Sequence, residues 1–460
     1  MNPFSLLLSF FPPDLSPSYL LALVPPMLAT IGLAFGAMFL AICISLPLGL
    51  LAAIEAPGSR SLLSGLAALR AIPDLTLAIL CVVLFGIGPG AGLVALAIYY
   101  SAGVAKMFAD ILRTAPHGPL LALRAAGASR LQVALYGLLP LKRQDLISYG
   151  AYEFECALRS AVVVGAVGGG GIGSELLGSL ASFDFRRVAA QVIVLAIVIA
   201  GFEAAASQLK RRPAWLIALA PIGVIAVVAY GPRFFALSHA ATVFARMWPP
   251  EIPADGWAKL PQQIAETIWI AAAGTGGALA FALIAGPASA RNLAPVWLAW
   301  PVRRLNELLR TIPEVVWALV LIAVVGIGPV AGAWAIGIHT AGTLSRLFAE
   351  TLENAPRAPQ EAVASTGASR LGVLAYATAP LAIGPLAAHT LFRFEWNLRI
   401  AAVLGAIGAG GVGQALYEAQ QLFFYRQMLG YILVTAMLVG LVDAASERLR
   451  RRYGLLEAPM

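Results

Sequence analysis

Gly127-Ala128-Ser129-Arg130-Leu131 returns unchanged as Gly367-Ala368-Ser369-Arg370-Leu371, 240 residues further along the chain. The same offset carries Arg70-Ala-Ile-Pro-Asp74 onto Arg310-Thr-Ile-Pro-Glu314, and Gly86-Ile-Gly-Pro89 onto Gly326-Ile-Gly-Pro329. It also carries Gly168-Gly-Gly-Gly-Ile-Gly173 onto Gly408-Ala-Gly-Gly-Val-Gly413, and Glu155 and Arg159 onto Glu395 and Arg399. Ahead of these segments the offset is 237, which sets Pro12-Pro13-Asp14 against Pro249-Pro250-Glu251. One short insertion or deletion therefore separates two copies of a single unit.

Composition decides the medium in which each copy folds. Of 460 residues, 60% are hydrophobic and only 12% charged, with a mean hydropathy of +0.83. A soluble domain carries roughly a quarter Asp, Glu, Lys and Arg, and half that density cannot cover a water-soluble fold of this length. Disorder is excluded by the same numbers. A disulfide framework is excluded because Cys43, Cys81 and Cys156 all sit in apolar surroundings. The net charge of +8 reflects loop arginines and lysines in a membrane protein, not a nucleic-acid partner.

A span needs about 20 mostly apolar residues. Such stretches lie near 28–54, 71–88, 91–112, 146–167, 187–207, 214–230, 264–286, 313–328, 331–349, 385–407 and 427–446, which predicts an all-α polytopic chain of about eleven spans. Apolar residues run continuously instead of alternating, which excludes a membrane barrel. No Lys or Arg precedes Arg60, whereas Lys210-Arg211-Arg212 and Arg448, Arg450, Arg451 and Arg452 flank apolar stretches. Setting the basic tail inside puts the N-terminus outside, with Arg60, Arg70, Arg113–Arg143, Lys210–Arg212 and Arg291–Arg310 inside. The 231–262 loop then lies outside despite Arg233, Arg246 and Lys259, balanced in part by Glu251 and Asp255. Met1–Phe11 lacks the basic start of a secretory signal.

Each copy holds five spans, and the extra helix near 214–230 reverses the chain once more. Both copies thus enter the membrane in the same sense. The expected division is a first unit over 1–210, a linking transmembrane helix over 211–232 and a second unit over 233–460. Parallel repeats imply a pseudo-two-fold axis along the membrane normal with a pathway at their interface.

The segment after the third span of each copy has helix-and-glycine grammar. The second reads Pro359-Gln-Glu361-Ala362, then Gly367, and ends at Pro380. The first reads Pro119-Leu-Leu121-Ala, then Gly127, and ends at Leu139-Pro140. Proline at the start favours a short helix, which glycine breaks before the chain continues to the second proline.

This spacing resembles the EAA loop of ABC-importer permeases, in which a coupling helix seats in a cleft of a separate cytoplasmic ATPase. Carried over, Glu361, Ala362, Gly367 and Pro380 match in the second copy, and Gly127, Leu139 and Pro140 in the first. Leu121 stands where Glu is expected, and Ala379 where Leu is usual. Together with Phe11-Pro-Pro-Asp14, the Arg-x-Ile-Pro-acid step, Phe394-Glu395-x-x-x-Arg399 and the glycine clusters, the set is similar to the PhnE-type phosphonate permease family, here as two fused units. The resemblance implies two copies of a cytoplasmic ABC ATPase, a phosphonate-binding protein on the outer side and inner-membrane localisation. The chain itself would bind no cofactor, ATP being used on the partner.

Glu155/Arg159 and Glu395/Arg399 stand four apart on expected spans, so each pair shares a helix face. An ionised group at membrane depth costs about 2.5–3.5 kcal/mol on insertion scales unless paired or hydrated. Two readings stay open: a self-satisfied pair that locks helix packing, or arginines that face the pathway and guide an oxyanion by bidentate hydrogen bonding. The glycine clusters, with Gly168, Gly171 and Gly173 in one copy and Gly408, Gly411 and Gly413 in the other, contain G-x-G-x-x-G. They follow an apolar span, not a strand, so a dinucleotide site is rejected. A bend or gate near the outer face, or a plain tight turn, is expected instead.

No lysine follows the glycine of a P-loop. His117, His239, His339 and His389 lack metal-ligand spacing, and no nucleophile–base constellation stands out, so no catalytic or metal site is expected. The function expected from the resemblance is a permease that conducts phosphonate, or a related phosphorus oxyanion, inward. Importer permeases for methionine, phosphite or a quaternary amine are the alternatives within the class. An ion-coupled secondary transporter is the alternative outside it.

Overall fold

The computed structural model describes residues 8–209, 214–230 and 237–453; Lys210-Arg211-Arg212 and Arg233 lie outside the described residues. Every regular element among the described residues is helical. The chain divides into two compact units, one running to Pro250 and one beginning at Glu251.

In the first unit a helical lead-in, Pro17–Ala22, runs into α1 (Val24–Ala53). There follow α2 (Ser59–Arg70), α3 (Asp74–Phe85) and α4 (Pro89–Arg113). Next come the short α5 (His117–Ala125), α6 (Leu139–Val164), α7 (Ile172–Ala181) and α8 (Phe185–Leu209). α9 (Ala214–Tyr230) packs along α1, and α10 (Leu237–Met247) packs on α3, so both belong to this unit. The second unit repeats the plan with α11 (Ala254–Ser289), α12 (Val296–Thr311), α13 (Glu314–Val325), α14 (Pro329–Glu353), α15 (Arg357–Ala364), α16 (Ala379–Leu404), α17 (Gly411–Gln421) and α18 (Tyr425–Arg452).

In lipid there is little hydrophobic drive to pair helices, because the tails are as apolar as leucine; close van der Waals fit decides. Each unit is therefore built on a pair that small residues allow to approach: α1 on α4 and α11 on α14. A Cβ on Gly49 would come within 2.8 Å of the Phe108 Cβ, and one on Gly286 within 2.7 Å of the Phe348 Cβ. The same knob fills the same notch in both copies.

Six helices among the described residues are long and apolar enough to cross a membrane, or nine if each sharply bent pair forms one span; Ala220–Tyr230 is a shorter apolar helix. Eleven were expected, and two of those stretches fall short for a physical reason. The stretches 71–88 and 313–328 hold helices of 12 residues, about 18 Å long against an apolar core of about 30 Å. Pro73 and Pro313 stand at their N-caps, and Gly86 (φ 88°) and Gly326 (φ 98°) end them. Each is preceded at 88° or 85° by α2 or α12, which the sequence reading left as connecting chain. α12 is amphipathic: Val296, Trp297, Trp300 and Leu308 are exposed, while Arg303 Nε donates to the Ser289 carbonyl at 2.7 Å. The guanidinium of Arg304 lies 5.7 Å from the Trp300 ring centroid. Tryptophan beside arginine on one short helix is the composition of a segment lying along a membrane surface.

Candidate functional site

Three features of each unit carry the residues singled out above: a loop knob between α4 and α6 (α14 and α16 in the second unit), polar groups inside the last-but-one long helix, and a glycine turn.

The knob begins two residues earlier than expected. Pro116 and Pro356 are the N-caps, and Pro119 and Pro359 sit inside the first turn of α5 and α15. Gly127 (φ 86°) and Gly367 (φ 84°) then reverse the chain in left-handed geometry, with open space where a side chain would stand. Ser129 caps the next turn in a reciprocal box: its Oγ accepts from the Gln132 amide at 3.3 Å, and Gln132 Oε1 accepts from the Ser129 amide at 2.8 Å. Ser369 repeats half of it, accepting from the Gly372 amide at 3.2 Å. The Ser-x-x-Gln signature of this box is legible in the sequence.

Pro140 and Pro380 do not end this segment. Each lies in the first turn of the following long helix, after a π turn at Ala134–Leu138 or Leu374–Thr378. Wider winding removes the clash between the proline ring and the carbonyl four residues back. Glu361 and Ala362 are exposed on α15, which buries no side chain, and Leu121 is 59% exposed on α5.

Because nothing crowds Gly367, Gly367→Ala is expected to leave yield and melting temperature unchanged. The left-handed backbone costs an L-residue about 1–2 kcal/mol, and that cost falls on the knob alone. Tryptic cleavage at Arg370 should then accelerate about 5- to 30-fold. Wild-type cleavage kinetics would contradict the assigned geometry.

Glu395 and Arg399 of α16 pair across to another helix instead of with each other. Glu395 bonds Arg450 and Arg399 bonds Asp443, both partners on α18. Arg450 also donates to Ser446 Oγ at 3.3 Å. Glu395 and Arg399 are each 5% exposed. Helical spacing places two residues on one face but leaves open which neighbour is nearer, and the antiparallel α18 supplies both countercharges. From the sequence alone Arg450 reads only as part of a basic tail.

Between Glu395 and Arg399, and half a turn round the helix, Asn397 links Thr340 (3.0 Å) and Thr275 (2.8 Å), a buried bridge tying α16 to α14 and α11. In the first unit Glu155 and Arg159 are half-buried on α6 and engaged by neighbouring groups. Acids also start the short helices. Asp74 accepts from Ser160 Oγ at 2.7 Å and the Leu75 amide at 2.9 Å, while Glu314 lies 3.5 Å from His339 Nε2.

The glycine clusters turn the chain and fit one element through another. Gly168, Gly170 and Gly171 have φ of 106°, 77° and 80°; Gly408, Gly410 and Gly411 have 107°, 91° and 72°. Gly173 and Gly413 are required for closeness: a Cβ there would overlap the carbonyl oxygens of Val162 and Ala402. The Gly-Ile-Gly-Pro loop docks on this turn in both units. The Gly88 amide donates to the Gly168 carbonyl at 2.8 Å, and that of Gly328 to Gly408 at 3.0 Å. Thr30 and Thr267 accept from the Ile172 and Val412 amides, and in the second unit Glu266 also accepts from the Gly411 amide at 3.1 Å. Two glycine motifs that were separate in the sequence thus form one structure.

The family described as binding-protein-dependent transport system inner membrane component matches residues 45–213 and 278–454. The chain is 30% identical over 404 residues to the phosphate-import permease protein PhnE of Mycolicibacterium smegmatis, covering 83% of this chain and 76% of the relative. It is 34% identical over 218 residues to the phosphite transport system permease protein PtxC of Stutzerimonas stutzeri, covering 47% of this chain and 78% of that one. A protein of Escherichia coli named for cryptic phosphonate transport, PhnE2, is 38% identical over 119 residues, 26% of this chain and 98% of the relative.

Proposed function

Because the chain belongs to the family of binding-protein-dependent transport system inner membrane components, we propose that it is the membrane permease of an ATP-driven importer, moving phosphonate or a related phosphorus oxyanion inward. The observation that carries this reading is the doubled family segment, joined to relatives named for phosphate, phosphite and phosphonate. Two copies of a separate cytoplasmic subunit hydrolyse ATP, and a phosphonate-binding protein delivers the anion from outside.

In this reading the N-terminus lies outside and the basic tail in the cytoplasm. The repeats within 1–210 and 233–460 act as the two permease units, with α9 and α10 packed on the first and the second beginning its own fold at Glu251. The knobs at Gly127 and Gly367 face the ATPase, Glu361 and Ala362 forming part of the second, and closure of the ATPase pair drives alternating access. The glycine turns serve as rigid bends at the outer ends of the long helices. Glu395 and Arg399 lock α16 to α18, a reading supported by their cross-helix partners.

The test is uptake by the permease reconstituted in liposomes with its ATPase and binding protein, across phosphonates, phosphite and phosphate, with methionine and a quaternary amine as comparators. ATP-dependent accumulation of a phosphorus oxyanion, at least about tenfold above the comparators, is the expected result. Flux that ignores ATP and follows an ion gradient would point to a secondary transporter, and accumulation of methionine alone would displace the substrate class.

A further inference from the structure

Two copies of one unit within a single chain show where chemistry has diverged on a shared backbone. α4 and α14 both run for 25 residues, yet α4 is among the six helices apolar enough to cross a membrane and α14 is not. Arg346 stands where the first unit has Lys106, and Glu350 where it has Asp110. On the following long helix the change is one of sign: His389 replaces Tyr149, and Arg393 replaces Glu153. The Tyr149 hydroxyl donates to Glu153, and Arg70 acts on the same carboxylate. Arg310 keeps the place of Arg70. These five positions thus carry two cations and two anions in the first unit, against three cations, one anion and a histidine in the second.

In the second unit these charges meet across α14 and α16. Arg346 Nε donates to Glu350 at 2.7 Å, and the charges of both Glu350 and Arg393 act on His389. Arg393 sits near the middle of α16, with its Nε buried. A charge at that depth is costly against acyl chains, so ionisable side chains inside spans face protein or a water-filled path. The lower hydropathy of α14 points the same way. Guanidinium forks carried on two helices match the oxygens of a tetrahedral oxyanion, which ammonium groups match less well.

We infer that Arg346 and Arg393, linked through Glu350 and His389, form an oxyanion-binding wall of the transport pathway that belongs to the second unit alone. This rests on the function proposed above and deepens it. The duplicated chain has specialised: the first unit keeps the Tyr149–Glu153 pair, and the second offers two guanidiniums to phosphorus oxygens. Glu350 is a positioning residue, holding Arg346 from the next turn. Glu395 and Arg399 are locked to α18 and stand outside the wall.

The test uses the full-length permease in liposomes with its ATPase and binding protein, supplied in turn with methylphosphonate, phosphite and phosphate. Arg346→Gln and Arg393→Gln should each cut uptake about 10- to 100-fold, the worth of one charge-assisted contact. ATP hydrolysis stimulated by the loaded binding protein should stay within about twofold of the wild type in the same samples. Arg393→Lys should restore part of the rate, because the charge returns without the fork. The first unit already folds with Tyr and Glu at the matching positions. The double variant His389→Tyr with Arg393→Glu should therefore keep its yield and melting temperature and lose uptake as fully. In the first unit, Lys106→Gln and Glu153→Gln should leave uptake within about twofold. Gln variants that transport like the wild type overturn the wall alone. So do variants in which uptake, ATP hydrolysis and melting temperature fall together, the pattern of a structural role. A Lys106→Gln chain as impaired as Arg346→Gln overturns the confinement to the second unit. A wild-type complex that accumulates no phosphorus oxyanion overturns the functional reading, and the wall with it.

Discussion

Gly413→Ala is expected to cut the yield of folded protein sharply and to lower the melting temperature of what remains. A single methyl group on this residue would occupy the space of the Ala402 carbonyl oxygen, which belongs to the backbone of α16 and cannot rotate away as a side chain could. The chain must pull α17 off α16 or break the turn at Gly408–Gly411, and overpacking of this kind costs about 3 kcal/mol or more. For a fold with ordinary margins that is a large share of its stability. The measurement is recovery of monodisperse protein after detergent extraction, with its melting curve. Gly173→Ala should behave alike, since its Cβ would overlap the Val162 carbonyl. Gly440→Ala, where nothing lies within 4 Å, is the control; in a helix interior it should be neutral or slightly stabilising. A Gly413→Ala chain that melts within about 2 °C of the wild type and transports normally would refute the close approach.

Removing either carboxylate or guanidinium from the α16–α18 ladder is the second large effect. Glu395→Ala strands Arg450, and Arg450→Ala strands a carboxylate that is 5% exposed. Leaving one buried charge without its partner costs about 3–5 kcal/mol, with Arg450 the more hydrated end of the pair and the lower figure the better guide. The double variant Glu395→Gln with Arg450→Gln should recover much of the loss, because no charge is then orphaned.

The same logic tests Arg399. As a lock to Asp443, Arg399→Lys lowers the melting temperature while the surviving fraction keeps its KM for the oxyanion. As a substrate ligand, it would raise KM at unchanged melting temperature. The second pattern would return Arg399 to the pathway.

Much of the architecture was legible because duplication leaves a mark that needs no physics beyond register. Gly127 and Gly367, the two glycine clusters and the acid after Ile-Pro were each located by the offset of 240. The knob was readable as proline, helix, glycine and proline, although its start was misplaced by two residues. Pro119 and Pro359 are compatible with any position in a first turn, so they do not by themselves mark its beginning.

What escaped the reading shares one cause. Hydropathy counts apolar residues along the chain and is blind to where a helix stops, so the sharp bends that set α2 against α3 and α12 against α13 leave no mark in it. Pairing rules along one helix are blind to neighbours, so Glu395 was set against Arg399 while Arg450 and Asp443 waited on α18.

The sequence by itself determined that this is a doubled, helical membrane chain with the motifs of an importer permease, because composition and repetition are properties of the string. Only the tertiary structure decided that the Gly-Ile-Gly-Pro loop grips the glycine cluster and that Glu395 and Arg399 answer to α18. Each of those is a matter of which surfaces meet across more than a dozen residues of separation, and no local spacing encodes that.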